Sequence, residues 1–357
     1  MHRPTRLLAI APLLLFAWIA TTGLAQRAQA PPTSTPTQTN ATARIVAAAQ
    51  AVLATLDDAG RAKAQFPFDG PQQTRWSNLP SGIFQREGVR MGDLSASQKA
   101  AVMTLLSTAL SGDGFRKVSE IMRGDEVLRQ TAGGRGPGGG RGRGGGLTFG
   151  QDEYYLAFVG TPSTTSPWML QFGGHHLAIN LTLAASQASM TPSLPAAQPA
   201  SYTIEGRTIR PLGRENDKAF TLINALDATQ RARAILSYRV ADLVFGPGQD
   251  GRTIQPEGLR ASALSPAQQT MLWDLVREWA GIVTDAFGEA RMAEVRGGLN
   301  DTYFAWSGPT TNGSAAYFRI QGPTLVIEYA PQDSVDHIHT IYRDPTNDYG
   351  ARIARKS

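Results

Sequence analysis

Cysteine is absent from all 357 residues. That excludes disulfides, a lipid-modified N-terminal cysteine, a thiolate nucleophile and any sulfur-rich metal site. Histidine is scarce, with five residues in the whole chain. Missing too are a G-x-S-x-G elbow, H-E-x-x-H, a P-loop, and a G-x-G-x-x-G placed after a strand pattern. Serine hydrolases, zincin proteases, nucleoside triphosphatases and nicotinamide enzymes are thereby set aside. Past the first thirty or so residues no apolar run is long enough to span a bilayer. Charge of either sign is modest: removing Arg3 and Arg6 from the formal +5 leaves about +3, too little over this length to argue for nucleic acid.

What is present begins with "MHRPTRLLAIAPLLLFAWIATTGLAQRAQA". Two arginines, an apolar stretch over 7–24 and then small residues follow the order of a secretory leader. Cleavage is predicted between Ala25 and Gln26, because Pro31 would follow the scissile bond of the alternative "AQA" box. The expectation is a secreted or periplasmic protein with a leader over 1–25, a disordered Pro/Thr/Gln-rich linker over 26–44 and no stable membrane insertion after cleavage. At 41% hydrophobic and 18% charged residues the remainder can bury a large core, on which an exported protein without disulfides must rely.

The rest of the chain reads as two copies of one pattern. "QREGVRMGDLSASQ" at 85–98 and "QPEGLRASALSPAQ" at 255–268 agree at half their positions at an offset of 170. The same offset lays "LDDAGRAKA" at 56–64 on "LDATQRARA" at 226–234. Further on, "YLAFVG" and "YFAWSG", and "FGGHHLAI" and "IQGPTLVI", align at an offset of 148. The difference is largely a Gly/Arg-rich tract over 131–150, a composition that cannot bury a face.

Each copy predicts helix, long loop, helix, then strands. Ile45, Ala48, Ala49, Val52 and Leu56 recur at helical spacing, as do Leu272, Leu275, Val276 and Trp279. Ser95 and Ser265, each followed three residues later by Gln, predict capping boxes. "SPWMLQF" and "LAINLTL" about Gly173-Gly174 predict one hairpin, and "AAYFRI" and "TLVIEYA" about Gln321-Gly322-Pro323 a second. "GRENDK" at 213–218 reads as a solvated charge run. The expectation is an α+β fold, internally duplicated, with helix-helix-hairpin lobes over 45–217 and 218–357, a pseudo-two-fold axis and one continuous core.

Three strings, "FPFDGPQQTRWSNLP" at 66–80, "WMLQFGGHHLAINLTL" at 168–183 and "HIHTIYRDPTNDYG" at 337–350, resemble the domain-of-unknown-function family 3500. The likeness spans about residues 45 to 352. It implies no substrate, so chemistry has to come from the residues.

In a duplicated chain the positions where the copies part are the candidates for a site. His175 and His176 stand where the second copy has Pro323 and Thr324; His337 and His339 stand opposite Ser189 and Thr191. His-x-His in an extended stretch puts two imidazoles on one strand face, about 6–7 Å apart at the backbone, a usual way to offer two metal ligands. Adjacent His175 and His176 point opposite ways in a regular strand, so one of them is expected to ligate unless the turn brings both inward. With a carboxylate such as Asp336 the set suits zinc, copper or iron. The bland alternative is four neutral histidines hydrogen-bonded beneath a hairpin. Arg343 is a candidate anion or carbonyl clamp, or a partner of Asp344 or Asp348 in the C-terminal turn; Asp344 is a candidate general base or ligand-orienting carboxylate.

Two functions are consistent with this pattern: an exported metalloenzyme, with metal-assisted hydrolysis preferred to oxidation because it needs no redox partner, or a protein that holds a metal ion or small ligand without turnover. An open coordination position with a carboxylate in reach would distinguish the first; a closed four-ligand shell, the second. Oligomeric state is not encoded in any pattern found.

Overall fold

Ser95 and Ser265 each accept from the backbone N–H of the Gln three residues on, and both Gln side chains bond back, so the two predicted capping boxes are formed. The structure, a computed structural model, describes residues 36–131, 146–332 and 334–354. The leader expected over 1–25 and most of the Gly/Arg tract lie outside the described residues. The chain runs α1 (Pro36–Thr55), α2 (Asp58–Ala64), β1 (Gln65–Phe66), β2 (Val89–Arg90), α3 (Ala96–Ala109), α4 (Gly112–Thr131), β3 (Tyr155–Val159), β4 (Trp168–Gly174) and β5 (Leu177–Ala184). Short strands β6 (Gln187–Ser189), β7 (Leu194–Pro195), β8 (Tyr202–Ile204) and β9 (Arg207–Ile209) follow. Then come α5 (Gly213–Ala225), α6 (Ala228–Ala234), β10 (Leu259–Arg260), α7 (Pro266–Ala280), α8 (Asp285–Gly297), β11 (Tyr303–Ser307), β12 (Tyr317–Gly322), β13 (Leu325–Pro331) and β14 (Ile338–Arg343). The class is α+β, and no helix among the described residues is long and apolar enough to cross a membrane.

Three local expectations change. The linker expected over 26–44 gives way to helix at Pro36, because Ala41 and Thr42 are buried and the Thr42 hydroxyl donates to the Ala185 carbonyl. The charge run at 213–218 is the first turn of α5, and Glu215 is fully buried against Lys117 of α4. Burial pushes the Glu215 carboxyl up, the opposite of a solvated acid, and the Lys117 ammonium beside it offsets part of that rise. The first hairpin turns at His175-His176, not at the glycines, since β4 continues through Gly174, which pairs with Leu177.

β3, β4 and β5 form an antiparallel meander, as do β11 to β14. Alternation gives each sheet an apolar face. Leu156, Phe158, Phe172, Ile179 and Leu181 lie against α1, α3 and α4, and Phe304, Trp306, Phe318, Ile320 and Ile327 against α5 and α7. The helical stripe Leu272, Leu275, Val276 and Trp279 is 0% exposed, worth roughly 1.5–3 kcal/mol per side chain. The opposite faces are more polar: Gln171 and Asn180 on the first sheet, Tyr317, Arg319, Glu328, His339 and Arg343 on the second. Long loops cover them, and their apolar contacts (Trp76, Phe245, Ala178, Val326, Ile341) make a third, smaller cluster. The interior is therefore divided into three clusters rather than one continuous core.

The segment around β7 stitches the sheets together. Leu177 pairs with Pro195 on one side, and Ser193 with Tyr342 and Ala197 with Ile338 on the other, all antiparallel. This register sets the start of β5 and the start of β14 abreast with one strand between them.

Candidate metal centre

His176 ends the two-residue turn between β4 and β5 with φ 62, a left-handed conformation that few non-glycine residues adopt. Tertiary bonds hold it there: its N–H donates to the Asn78 carbonyl at 3.1 Å and its carbonyl accepts from the Ala196 N–H at 2.8 Å. His337 and His339 alternate onto one side of the β14 edge. The register through β7 aligns His176, Ala196 and His339, so only a methyl group stands on the strand between the two imidazoles.

The result is a convergence of three Nε2 atoms. His176 and His337 are 2.9 Å apart, His337 and His339 3.0 Å, and the three ligand atoms lie within 4.8 Å of one another. Imidazole nitrogens bound at about 2.0–2.1 Å to one ion stand about 2.9–3.4 Å apart for bond angles between a right angle and the tetrahedral value. The group could hold a metal ion.

Proton accounting points the same way. Asp242 Oδ1 lies 3.2 Å from His339 Nδ1, which makes that nitrogen the donor and leaves His339 Nε2 a bare lone pair. If His337 Nε2–H points at it, His176 Nε2 must also be bare, and its Nδ1–H is then a buried donor with no partner among the described residues. If His176 Nε2 carries the proton instead, His337 and His339 face each other as two lone pairs. In either arrangement His176 Nδ1 has no partner among the described residues, even with Asn78 donating to His339 Nε2, whereas a cation would take all three Nε2 lone pairs at once.

Two of the imidazoles are held toward the neutral form. Burial, reinforced by the neighbouring histidines, holds His176 well below its usual value. His337 is lowered to about 4, by burial first and then by His339 and His175, with Asp242 opposing. Burial raises the Asp242 carboxyl, but hydrogen bonds from His339 and the Leu243 N–H outweigh it and bring it below the usual range. Asn78 Nδ2 stands 3.3 Å from His339 Nε2. His176 is buried, His339 nearly so, and His337 is partly open to solvent, so the group has a mouth at His337 and Asp242.

His175 is turned away from this convergence. Its Nδ1 bonds to buried Asp125 of α4 at 2.6 Å, and its ring stacks on His176 with centroids 3.7 Å apart. Asp125 is itself fixed by the Gly150 N–H, and Phe149 covers the other side of the His175 ring. The pair thus sets the plane of the His176 ring.

The remaining sequence candidates stand elsewhere. The carboxylate against the imidazoles is Asp242; Asp336 instead accepts from the Ala200 N–H. Arg343 bonds Asp250, Asp348 and the carbonyls of Phe245 and Gly246, the C-terminal-turn partnership that its sequence setting allowed. Asp344 follows the last residue of β14 and is paired with Arg291 and Arg352. Asn78, Asp125 and Asp242 were not found from sequence. Each reaches the histidines from a distant loop or helix, and no spacing announces that.

No curated protein matches this chain, and no solved structure does. A family profile does match, over residues 38–351, and it places the chain in the family described as "Protein of unknown function (DUF3500)".

Proposed function

We propose that His176, His337 and His339 hold one transition-metal ion, zinc before copper or iron, and that the chain is an exported metalloenzyme that uses it for hydrolysis. The observation that carries this reading is the convergence of three Nε2 atoms drawn from segments 161 residues apart. Histidines serving only as core material would hydrogen-bond outward to protein partners, as His175 does. An ion bound there would supply Lewis-acid activation of water or of a substrate carbonyl. Asp242 would hold His339 in the ligating tautomer through Oδ1. Its Oδ2, free of hydrogen bonds among the described residues and lying at the mouth, could accept a proton. Asn78 would donate a hydrogen bond to an oxygen beside His339.

Three ligands with an open side and a carboxylate in reach favour catalysis over a closed carrier site. The second reading, a metal-binding protein without turnover, rests on the same three nitrogens and differs only in the fate of a fourth ligand. Export is part of the proposal on the order of charged, apolar and small residues at 1–25. So is internal duplication, which two matches favour. The hairpins share one register at the offset of 148, with Tyr155 opposite Gly173 and Tyr303 opposite Gln321. Gly88 and Gly258 both have positive φ where a Cβ would collide with the carbonyl of β3 or β11.

The test is metal analysis of protein purified without chelator and without a nickel tag. About one equivalent per chain, lost in His337→Ala, is expected; protein that stays metal-free when offered zinc, copper, iron and manganese in turn defeats the proposal.

A further inference from the structure

The loop over 236–258 that covers the polar face of the second sheet borders a groove of about 580 Å³. Arg239, Arg252 and Arg319 line it, against a single carboxylate, Glu257. These arginines differ from the surface pairs elsewhere on the chain. Arg319 comes from the middle of β12 and is 1% exposed; one Nη is tied to Glu257 at 2.8 Å, and its Nε–H has no partner among the described residues. A guanidinium held this far out of water with a donor unspent is costly unless something completes it. Arg239 is exposed and makes no hydrogen bond or ion pair among the described residues. Arg252 uses Nη1 on the Val244 carbonyl and Gln249, which leaves Nη2 free. Tyr238, Val240 and Ile254 supply apolar wall beside the charges.

We infer that this groove is a binding site for an organic anion, a small molecule bearing a carboxylate or phosphate group. The exposed guanidiniums of Arg239 and Arg252, forked donors of fixed geometry, suit an oxyanion, and the apolar wall suits the carbon skeleton attached to it. Metal ions are repelled by the same arginines, so this site is separate in kind from the imidazole group. The two share a sheet face: Arg319 pairs with Glu328, which pairs with Ile341, two residues from His339. Strand spacing and rise put the backbones of Arg319 and His339 about 12 Å apart. The inference does not rest on the metal reading.

The experiment titrates the metal-free full chain with inorganic phosphate and, separately, with acetate and benzoate, following amide chemical shifts. Saturable one-to-one binding of at least one anion is expected, with shifts centred on 238–257. Affinity should weaken about tenfold or more in Arg239→Ala and in Arg252→Ala, and should be unchanged in His339→Ala. A response to phosphate alone identifies a phosphorylated ligand; one to the carboxylates alone identifies an acid. Both arginines are exposed, so neither variant endangers folding. Absence of saturation for all three probes up to tens of millimolar, or wild-type affinity in both arginine variants, overturns the inference.

Discussion

His176 owes its place to backbone conformation as much as to its ring. Asparagine tolerates the left-handed region and cannot replace the imidazole, so His176→Asn should keep the hairpin while abolishing stoichiometric metal. Circular dichroism with metal analysis reads both outcomes; loss of fold with metal retained would contradict the assignment. Asp242→Asn should leave metal bound but weaken it about 10–100-fold, as removal of an orienting partner does elsewhere, and a competition titration with a chelator measures this. The metal-free protein should also lose stability as pH falls from about 6.5 toward 4. In that window the unfolded chain binds protons that folded His337, lowered to about 4, and His176, lower still than usual, refuse. Urea midpoints at stepped pH should show this slope, shallower in His337→Gln; a flat profile would mean the imidazoles are not buried neutral. At this scale the sequence displayed the ligands but not their division of labour. His175 and His176 are identical in type, and only Asp125, fifty residues upstream on α4, decides which one turns away.

The segment between Ser193 and Ala197 is the element on which the site depends, because it sets β5 and β14 in register and carries a methyl group where a larger side chain would intrude. Ala196→Leu should therefore destabilise the fold by about 1–3 kcal/mol through overpacking and should also impair metal binding. Equilibrium unfolding and metal content test the two effects separately. A variant with wild-type metal affinity would show that the imidazoles do not meet over this strand. Helices and hairpins were legible: the capping boxes at Ser95 and Ser265 and the alternation in both meanders are local signals. The stitch was not. β7 is a two-residue strand whose partners are about 18 and 145 residues away, and the Ala- and Pro-rich sequence around it carries no periodicity. The same holds for the loops bearing Asn78 and Asp242, whose positions follow from the sheet faces they cover.

On the scale of the whole molecule, the imidazole group joins residues from both halves of the chain, so an ion bound there should act as a cross-link between the two sheets. Binding to the folded state alone raises stability by about 4 kcal/mol at a free metal concentration 1,000 times Kd, which a thermal melt with and without zinc would register. The most direct measurement of the central claim is X-ray absorption at the zinc edge on the protein loaded with one equivalent. Expected is a first shell of nitrogen and oxygen at about 2.0–2.1 Å with the outer-shell multiple scattering of about three imidazole rings, and no stoichiometric zinc bound in His339→Ala. A spectrum without imidazole outer-shell scattering, or stoichiometric zinc with the same spectrum in His339→Ala, would contradict the three-histidine site.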